Sequence, residues 1–388
     1  MAQPYSPTPD ERRALEQLAE QVADTQRTLV ANHPQLVQPD RAAHQPQLAA
    51  SRVELRALPH LPSELDGLGL FKPGTPPRVG IGRISNGLGC PHAETAPDFL
   101  GLMTAFTTPE GRRVDFITIN DPGAPTDTPA EFIALLKATA DAADAESATL
   151  GAMLASQTKL LFGLARHAGT RAPAIAAQVI RQTSRTTRSS SAVQQYWTGV
   201  VRARDVFGKF TFVPTSEVNT HRPLSAGAHY LSDDWHARQA TGPIEFGLYW
   251  IAFLNEAQTP LKDLTRAWSE AHRVQVASVS LPAIDPHSHD AKLLALLASE
   301  MGANQGNWIE DDRGGAQPEL PATEYTAARV LAYRVSQRLR QALPESAYAS
   351  FFEGGVIEPA LEAELLRRYQ AKRAAGHVTP DVGEASAV

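Results

Sequence analysis

Two blocks of short, partly alternating apolar segments, set between helical stretches, constrain this chain more than any other feature. In the first block VELRAL (53–58), RVGIGRIS (78–85), GLMTAFTT (101–108) and RRVDFITI (112–119) are parted by turns such as KPGTPP and TPEG. That is the texture of successive antiparallel strands. The breaker NDPGAPTDTP (120–129) closes the block, and helical texture follows over 130–142 and 149–167. The second block holds GKFTFVP (208–214), IEFGLYWIAFLN (244–255) and VQVASVSLP (274–282). Its middle member is long and aromatic and is expected at the centre of a sheet. Helical patterns return over 292–300, 323–343 and 359–374. At the other end, Leu15, Leu18, Val22 and Leu29 recur at helical spacing, so 11–29 reads as an amphipathic surface helix stopped by Pro34 and Pro39. The order helix, strands, helices, strands, helices predicts an α+β fold with a mostly antiparallel sheet, and excludes the strict βαβ alternation of a doubly wound one.

Composition narrows the function classes. The 388 residues carry 36 Lys+Arg against 42 Asp+Glu, a net charge of −6, which disfavours a nucleic-acid partner. The single cysteine, Cys90, allows no intrachain disulfide and no thiolate zinc site, and points to a reducing compartment. The N-terminus MAQPYSPTPDERR lacks the basic head and apolar run of a signal peptide. No run of about 18 apolar residues is present, so no integral membrane segment is expected and a cytoplasmic location is. RQTSRTTRSSS (181–191) has the look of an RNA arm, but in an acidic chain a surface or subunit-facing loop explains it better. PHSHD (286–290) superficially resembles a metal-ligand cluster and sits in a turn where exposed histidine is common.

The usual short catalytic motifs are absent: there is no GxSxG, HExxH, GxxxxGK[ST] or GxGxxG opening a helix. More informative is AARVLAYRVSQRLRQAL (327–343). Arg329 and Tyr333 are four apart and share a helix face, which Ser336 and Arg340 continue. A guanidinium beside a phenol favours the phenolate form. A tyrosinate is a known axial ligand of ferric heme. The alternative is a plain amphipathic helix with solvated arginines and one half-buried tyrosine.

Read together with the N-terminal segments, the chain resembles the catalase superfamily, and within it the small catalase-like heme peroxidase branch. The proximal helix of that family carries Arg-x-x-x-Tyr, a small hydroxylated residue three further on and Arg seven further on; here these are Arg329, Tyr333, Ser336 and Arg340. An Asp expected two residues after the Tyr is Val335. The distal Arg-x-x-His is matched by Arg41 and His44, and the next strand's VRFSN by GRISNG with Arg83, Ser85 and Asn86. FKPGTPP and PDFLGLMTAF are similar to family segments, DFITINDP places an Asn at Asn120, and counting on from Pro122 puts Phe132 at the aromatic position over the heme. Tyr196-Trp197 before GKFTFVP is similar to a further segment of the small branch.

The resemblance spans about 41–340 and implies a catalase-like antiparallel eight-stranded β-barrel with surrounding helices, with the heme held in that barrel. It divides the chain into an N-terminal extension (1–40), a heme-binding domain (41–344) and a C-terminal helical extension and tail (345–388). The implied cofactor is heme b. Tyr333 becomes the iron ligand, Arg329 its tuning partner, and Arg41, Arg83 and Arg340 the partners of the propionates. Phe132 lies over the ring. His44 becomes the acid–base group, carried on a barrel strand and oriented by Ser85, with Asn120 beside it. The implied activity is a peroxidase reducing hydrogen peroxide or organic hydroperoxides with a small organic donor, in a homodimer. Two other readings stay open: a fatty-acid hydroperoxide isomerase or dehydratase, and a degenerate non-catalytic heme-binding protein. Gly123 and Ala124 stand where large catalases have an aromatic doublet, which predicts a widened pocket suited to larger hydroperoxides.

Overall fold

A computed structural model of the chain describes residues 5–33, 36–87, 89, 94, 97–142, 150–183 (backbone alone over 150–157), 190–215, 227, 229–307 and 322–377. Cys90, His92, the basic stretch 184–189 and the tail 378–388 lie outside them. In chain order, helix α1 (Pro9–Asn32) precedes strands β1 (Gln47–Ala57), β2 (Arg78–Asn86), β3 (Leu100–Thr107) and β4 (Arg113–Ile119). Helices α2 (Pro129–Asp141), α3 (Leu150–Ala168) and α4 (Ala172–Thr183) follow, then β5 (Tyr196–Thr198), β6 (Val201–Ala203) and β7 (Val206–Pro214). The remainder is α5 (Tyr230–Thr241), β8 (Ile244–Ala252), β9 (Val274–Leu281), α6 (His289–Glu300), α7 (Glu324–Leu339), α8 (Phe351–Gly354) and α9 (Pro359–Ala374).

The strands pair antiparallel in the order β5-β4-β3-β2-β1-β9-β8-β7, and β7 pairs back onto β5, closing an eight-stranded barrel. β8 therefore has a neighbour on each side, as its aromatic run suggests. β6 is the ninth strand by count, yet it runs along the same edge of β7 as β5: Tyr196 and Trp197 pair with Phe212 and Thr211, Val201 with Gly208. β5 and β6 are one stave interrupted at Gly199-Val200. At the gap the Phe210 amide donates to Thr198 Oγ1 (2.9 Å).

The strand period of two sorts the chemistry of the wall. Even-numbered residues of β2 to β4 and β7, among them Ile84, Phe106, Phe116, Phe210 and Phe212, fill the lumen. Phe116 meets Phe106, Phe210 and Phe212 edge-on, and Phe71 from the β1–β2 connection stacks on Phe210 at 5.5 Å. A side chain at Gly208 would collide with Trp250, whose ring lies where its Cβ would be. Each such ring, fully buried, contributes about 1.5–3 kcal/mol. The expectation of a heme inside the barrel is thereby corrected, because packed rings occupy the lumen. The odd-numbered residues of the same strands face outward under the helices.

Helix α1 begins in a capping box of Thr8 and Glu11 and lays Leu15, Ala19, Val22 and Ala23 against α7 and α2. Helix α7 starts at the Thr323 cap and stops at Leu339, earlier than the 323–343 pattern suggests, so Arg340 stands at its C-terminal cap. Helix α9 packs Leu361 and Leu365 on the core around α6, and its Arg368 and Lys372 pair with Glu300. Both extensions thus pack on the barrel's helical coat. In the 286–290 turn, Ser288 caps α6, Asp290 pairs with Arg52 and His289 with Glu362. Among the described residues no cluster of three or more His, Cys, Asp or Glu is placed to hold a metal ion. Nor is any helix among them long and apolar enough to cross a membrane.

Candidate active site

A cavity of about 370 Å³ lies between the outer face of β2–β5 and β7 and the helices α2, α4 and α7. That size falls in the range of about 300–1,000 Å³ usual for cofactor and ligand sites. His44, Ser85, Arg41, Arg83, Phe132, Arg329, Tyr333 and Arg340 all line it. Asn120 does not: its Oδ1 accepts from the Leu100 amide (2.9 Å) and its Nδ2 donates to Gln194 Oε1 (2.5 Å). Its neighbour Ile119 faces the cavity instead.

On the barrel side, His44 precedes β1 instead of lying in a strand, and it holds a left-handed φ of 54°. Such backbone costs a non-glycine residue about 1–3 kcal/mol and persists only where neighbours impose it. Here its amide donates to Gly87 O (2.8 Å) and its carbonyl accepts from Arg83 Nη2 (2.7 Å). The imidazole lies across the directly paired residues Ser85 and Gly101 of β2 and β3. Nδ1 is 3.2 Å from Ser85 Oγ, and a Cβ on Gly101 would come within 2.7 Å of the same nitrogen. Burial pushes the His44 pKa down to about 4; Arg83 and Arg329 add to this, while Asp98 and the Asn86 backbone oppose it. The ring is therefore neutral at pH 7.

On the helical side, Arg329 Nη2 donates to Tyr333 Oη at 2.6 Å, as one-turn spacing on α7 requires. The Arg329 guanidinium is pulled down by burial, yet Tyr333 and Tyr325 outweigh this and raise its pKa. Its Nε is buried with no hydrogen-bond partner, as is Gln305 Oε1 beside it. Gln305 belongs to a loop that Asp115 ties down, accepting from the Asn304 amide (2.9 Å) and from Asn307 Nδ2 (2.8 Å). Phe132 meets Tyr325 at 5.8 Å and walls the same end of the cavity.

At the β2 end three guanidiniums converge. Arg41 Nη2 and Arg340 Nη1 both donate to Ser299 O (2.9 and 3.1 Å), and both reach the Met301 carbonyl. They cap the exposed carbonyls, and the negative end of the dipole, of α6. Arg83 is 4% exposed and donates to the carbonyls of His44 and Gln45. Burial pushes Arg340 down to about 9, with Arg41 adding to it, and it lowers Arg83 as well. Against three cations stands Asp40, whose burial is overridden by Arg41, Arg340 and Lys372, which hold its carboxyl down at about 2. An excess of buried positive charge remains, and an anionic group would offset it. The chemistry of these residues is compatible with the two carboxylates of a heme, and Tyr333, an oxygen donor, and His44 line the same cavity.

The pocket widening expected at Gly123 and Ala124 is absent. A Cβ on Gly123 would lie 2.2 Å from Thr265 O, and the Ala124 amide donates to Leu264 O (2.8 Å), so a neighbouring loop fills that space. The cavity reaches the surface elsewhere, at Ile180 of α4, which lines it and is 60% exposed; Leu135, Leu136, Leu160 and Val179 also line it from α2, α3 and α4. One cavity residue escaped the sequence reading altogether. Lys209 of β7 is 4% exposed and outward-facing, and its odd position in a strand whose even residues Phe210 and Phe212 fill the lumen is the signal that would have found it.

No protein-family model and no curated protein matches the sequence. Among solved structures the fold is similar to a fungal catalase (TM-score 0.59, 15% identity, 78% of this chain and 60% of that one). It is similar also to a bacterial catalase (0.58, 19%, 79% and 58%). Catalase A from Saccharomyces cerevisiae gives 0.59 at 14% identity over 82% of this chain and 64% of its own. The chain has a catalase-like fold and spans about three fifths of the length of these proteins.

Proposed function

We propose that this protein is a heme-dependent peroxidase that reduces hydrogen peroxide or organic hydroperoxides with a small organic donor. One observation carries the reading: a hydrogen-bonded Arg329–Tyr333 pair and a neutral, clamped His44 line one cavity whose end holds the buried Arg83 and Arg340 and the partly buried Arg41. Heme b, when bound, supplies the redox chemistry of peroxide reduction. Tyr333 Oη holds the iron, and the charge of Arg329 keeps electron density on that oxygen. Arg41, Arg83 and Arg340 pair with the propionates and fix the orientation of the ring. The neutral His44 accepts a proton from the incoming hydroperoxide and returns it to the departing oxygen, acting as base and then acid. Ser85 engages Nδ1, which leaves Nε2 for that transfer. With Asn120 turned away from the cavity, the reading favours peroxidase turnover over peroxide disproportionation.

The test is a hemin titration of the purified chain followed by absorption, then donor oxidation and oxygen release with hydrogen peroxide and cumene hydroperoxide. A stoichiometric high-spin ferric spectrum and donor oxidation without vigorous oxygen release are expected. A chain that takes up no hemin would sink the reading. Vigorous oxygen release would replace it with a catalase, and consumption of a fatty-acid hydroperoxide without donor or oxygen with an isomerase.

A further inference from the structure

Lys209 lies at the opposite end of the cavity from Arg41, Arg83 and Arg340. From β2 the outer wall passes through β3, β4 and β5 to β7, four strand spacings of about 4.8 Å, so the two cationic ends stand about 19 Å apart along it. The lysine is 4% exposed, and its Nζ donates to Pro122 O (3.2 Å) and sits 5.0 Å from the centre of the Trp268 ring. Among the described residues no carboxylate lies within ion-pair distance of it. The charge acting on it is that of Asp121, whose Oδ1 is engaged by Gln182 Nε2, the Gly123 amide and Arg181. An ammonium has three protons to donate and is costly to bury without an anion. Burial indeed pulls it down to about 8, against the pull of Asp121. Val200 and Leu264 line the same end, and the mouth at Ile180 opens on α4, which packs on residues 121–124. Ile180 is 60% exposed at that mouth.

We propose that Lys209 is the anchor for the carboxylate of an apolar organic acid, which enters over α4 and lies with its body along the apolar wall. The inference rests on the peroxidase reading for what is done to that acid, as hydroperoxide or as donor. It makes the cavity bipolar, with propionates held at the β2 end and the substrate's acid group at the β7 end.

The experiment is calorimetric titration of the hemin-loaded protein with octanoate and, separately, with 1-octanol, which has the same chain and no charge. Octanoate is expected to bind about ten- to hundredfold tighter, the worth of a buried charge-assisted hydrogen bond. In Lys209→Met, and in Lys209→Gln, which keeps a donor for Pro122 O, that preference should fall to about one while octanol affinity stays. Equal binding of the two ligands by the unaltered protein would overturn the proposal, and that comparison needs no variant. A preference that survives in both variants would also overturn it, since the anion would then be held by the arginines. Failure to bind hemin strikes the peroxidase reading alone, because the same titrations on the hemin-free chain and its Lys209 variants still locate the anchor.

Discussion

Gly101→Ala tests the site at the point where the fold leaves least room. Gly101 and Ser85 are directly paired on β3 and β2, and the His44 ring rests on both. The new Cβ would lie 2.7 Å from Nδ1 and 2.8 Å from Cε1, where ordinary contact begins at 3.4 Å, so the ring must retreat by about 0.7 Å. The Ser85 Oγ–Nδ1 contact is already 3.2 Å, and such a retreat takes it out of hydrogen-bond range. A misplacement approaching 1 Å costs a positioned catalytic group up to about a hundredfold. The variant should therefore bind hemin as before and react with hydrogen peroxide about ten- to hundredfold more slowly, read as the stopped-flow rate of the Soret change. Overpacking should cost about 1–3 kcal/mol of stability, to be measured separately by urea unfolding. His44→Ala should lose about two to four orders of magnitude in the same rate. In the double variant the Gly101 effect should vanish, because it acts only through the ring. Undiminished reactivity of Gly101→Ala, or effects that multiply in full, would refute His44 as the proton-transfer group.

Four further outcomes are expected. The peroxide rate should be flat from pH 8 to about 5 and halve near pH 4, where the depressed His44 pKa lies, and not near 6.5. Because the unfolded chain protonates this histidine near 6.5 and the folded one only near 4, that stability is present above 6.5 and lost as pH falls to 4, by at most about 3 kcal/mol more than in His44→Gln on urea unfolding. Tyr333→Phe keeps the ring's volume and removes the oxygen, so hemin affinity should drop at least about tenfold with a changed Soret band; wild-type spectrum and affinity would rule out Tyr333 as ligand. Arg41→Met should lower the preference for hemin over its dimethyl ester by about tenfold, measured by competitive titration, whereas an unchanged preference would move the propionates elsewhere.

Much of the barrel was legible because its staves are long enough to show a period. Seven of the eight appear as alternating or aromatic runs bounded by proline and glycine. The eighth is broken into Tyr196–Thr198 and Val201–Ala203, pieces too short to carry any pattern. Helix α5 escaped for another reason: Asp234 and Gln239 are buried beside Tyr230, Leu231 and Trp235, so its buried face is not an apolar stripe. Within the site, the Arg329–Tyr333 contact follows from helix spacing alone, and of the nine site residues the resemblance named, all but Asn120 line the cavity. What spacing cannot convey is competition from distant partners. Asn120 is turned away by Leu100 and Gln194, the latter 74 positions on. Gly123 is closed off by Thr265, and His44 takes its left-handed turn only because Gly87 and Arg83 grip its backbone.

The phase of the strands explains why such a site lies outside the barrel. A closed wall of this size leaves a lumen that side chains fill, and here phenylalanine rings fill it from the even positions. Polar chemistry placed there would have to satisfy buried arginines against aromatic faces, at a cost no hydrogen bond available in the lumen offsets. The odd positions meet helices instead of each other. Between a flat wall and a round helix there is space, and helix termini and loop carbonyls can satisfy charged groups. Arg41 and Arg340 use that resource on the last carbonyls of α6, and Arg83 uses the carbonyls of the turn that presents His44. The packed barrel then serves as a template: Ser85 and Gly101 hold the imidazole on strands whose neighbouring residues Ile84, Leu100 and Leu102 are locked in the lumen core. Helix α7 is held against the same wall by α1, through Leu15, Val22, Ala328 and Ala332. The N-terminal extension therefore acts on the site through the helix that carries Tyr333 and, because Val22 packs on Ala42 and Ala43 and Gln26 donates to Asp40 O, through the turn that presents His44, so loosening α1 should disturb both sides of the cavity.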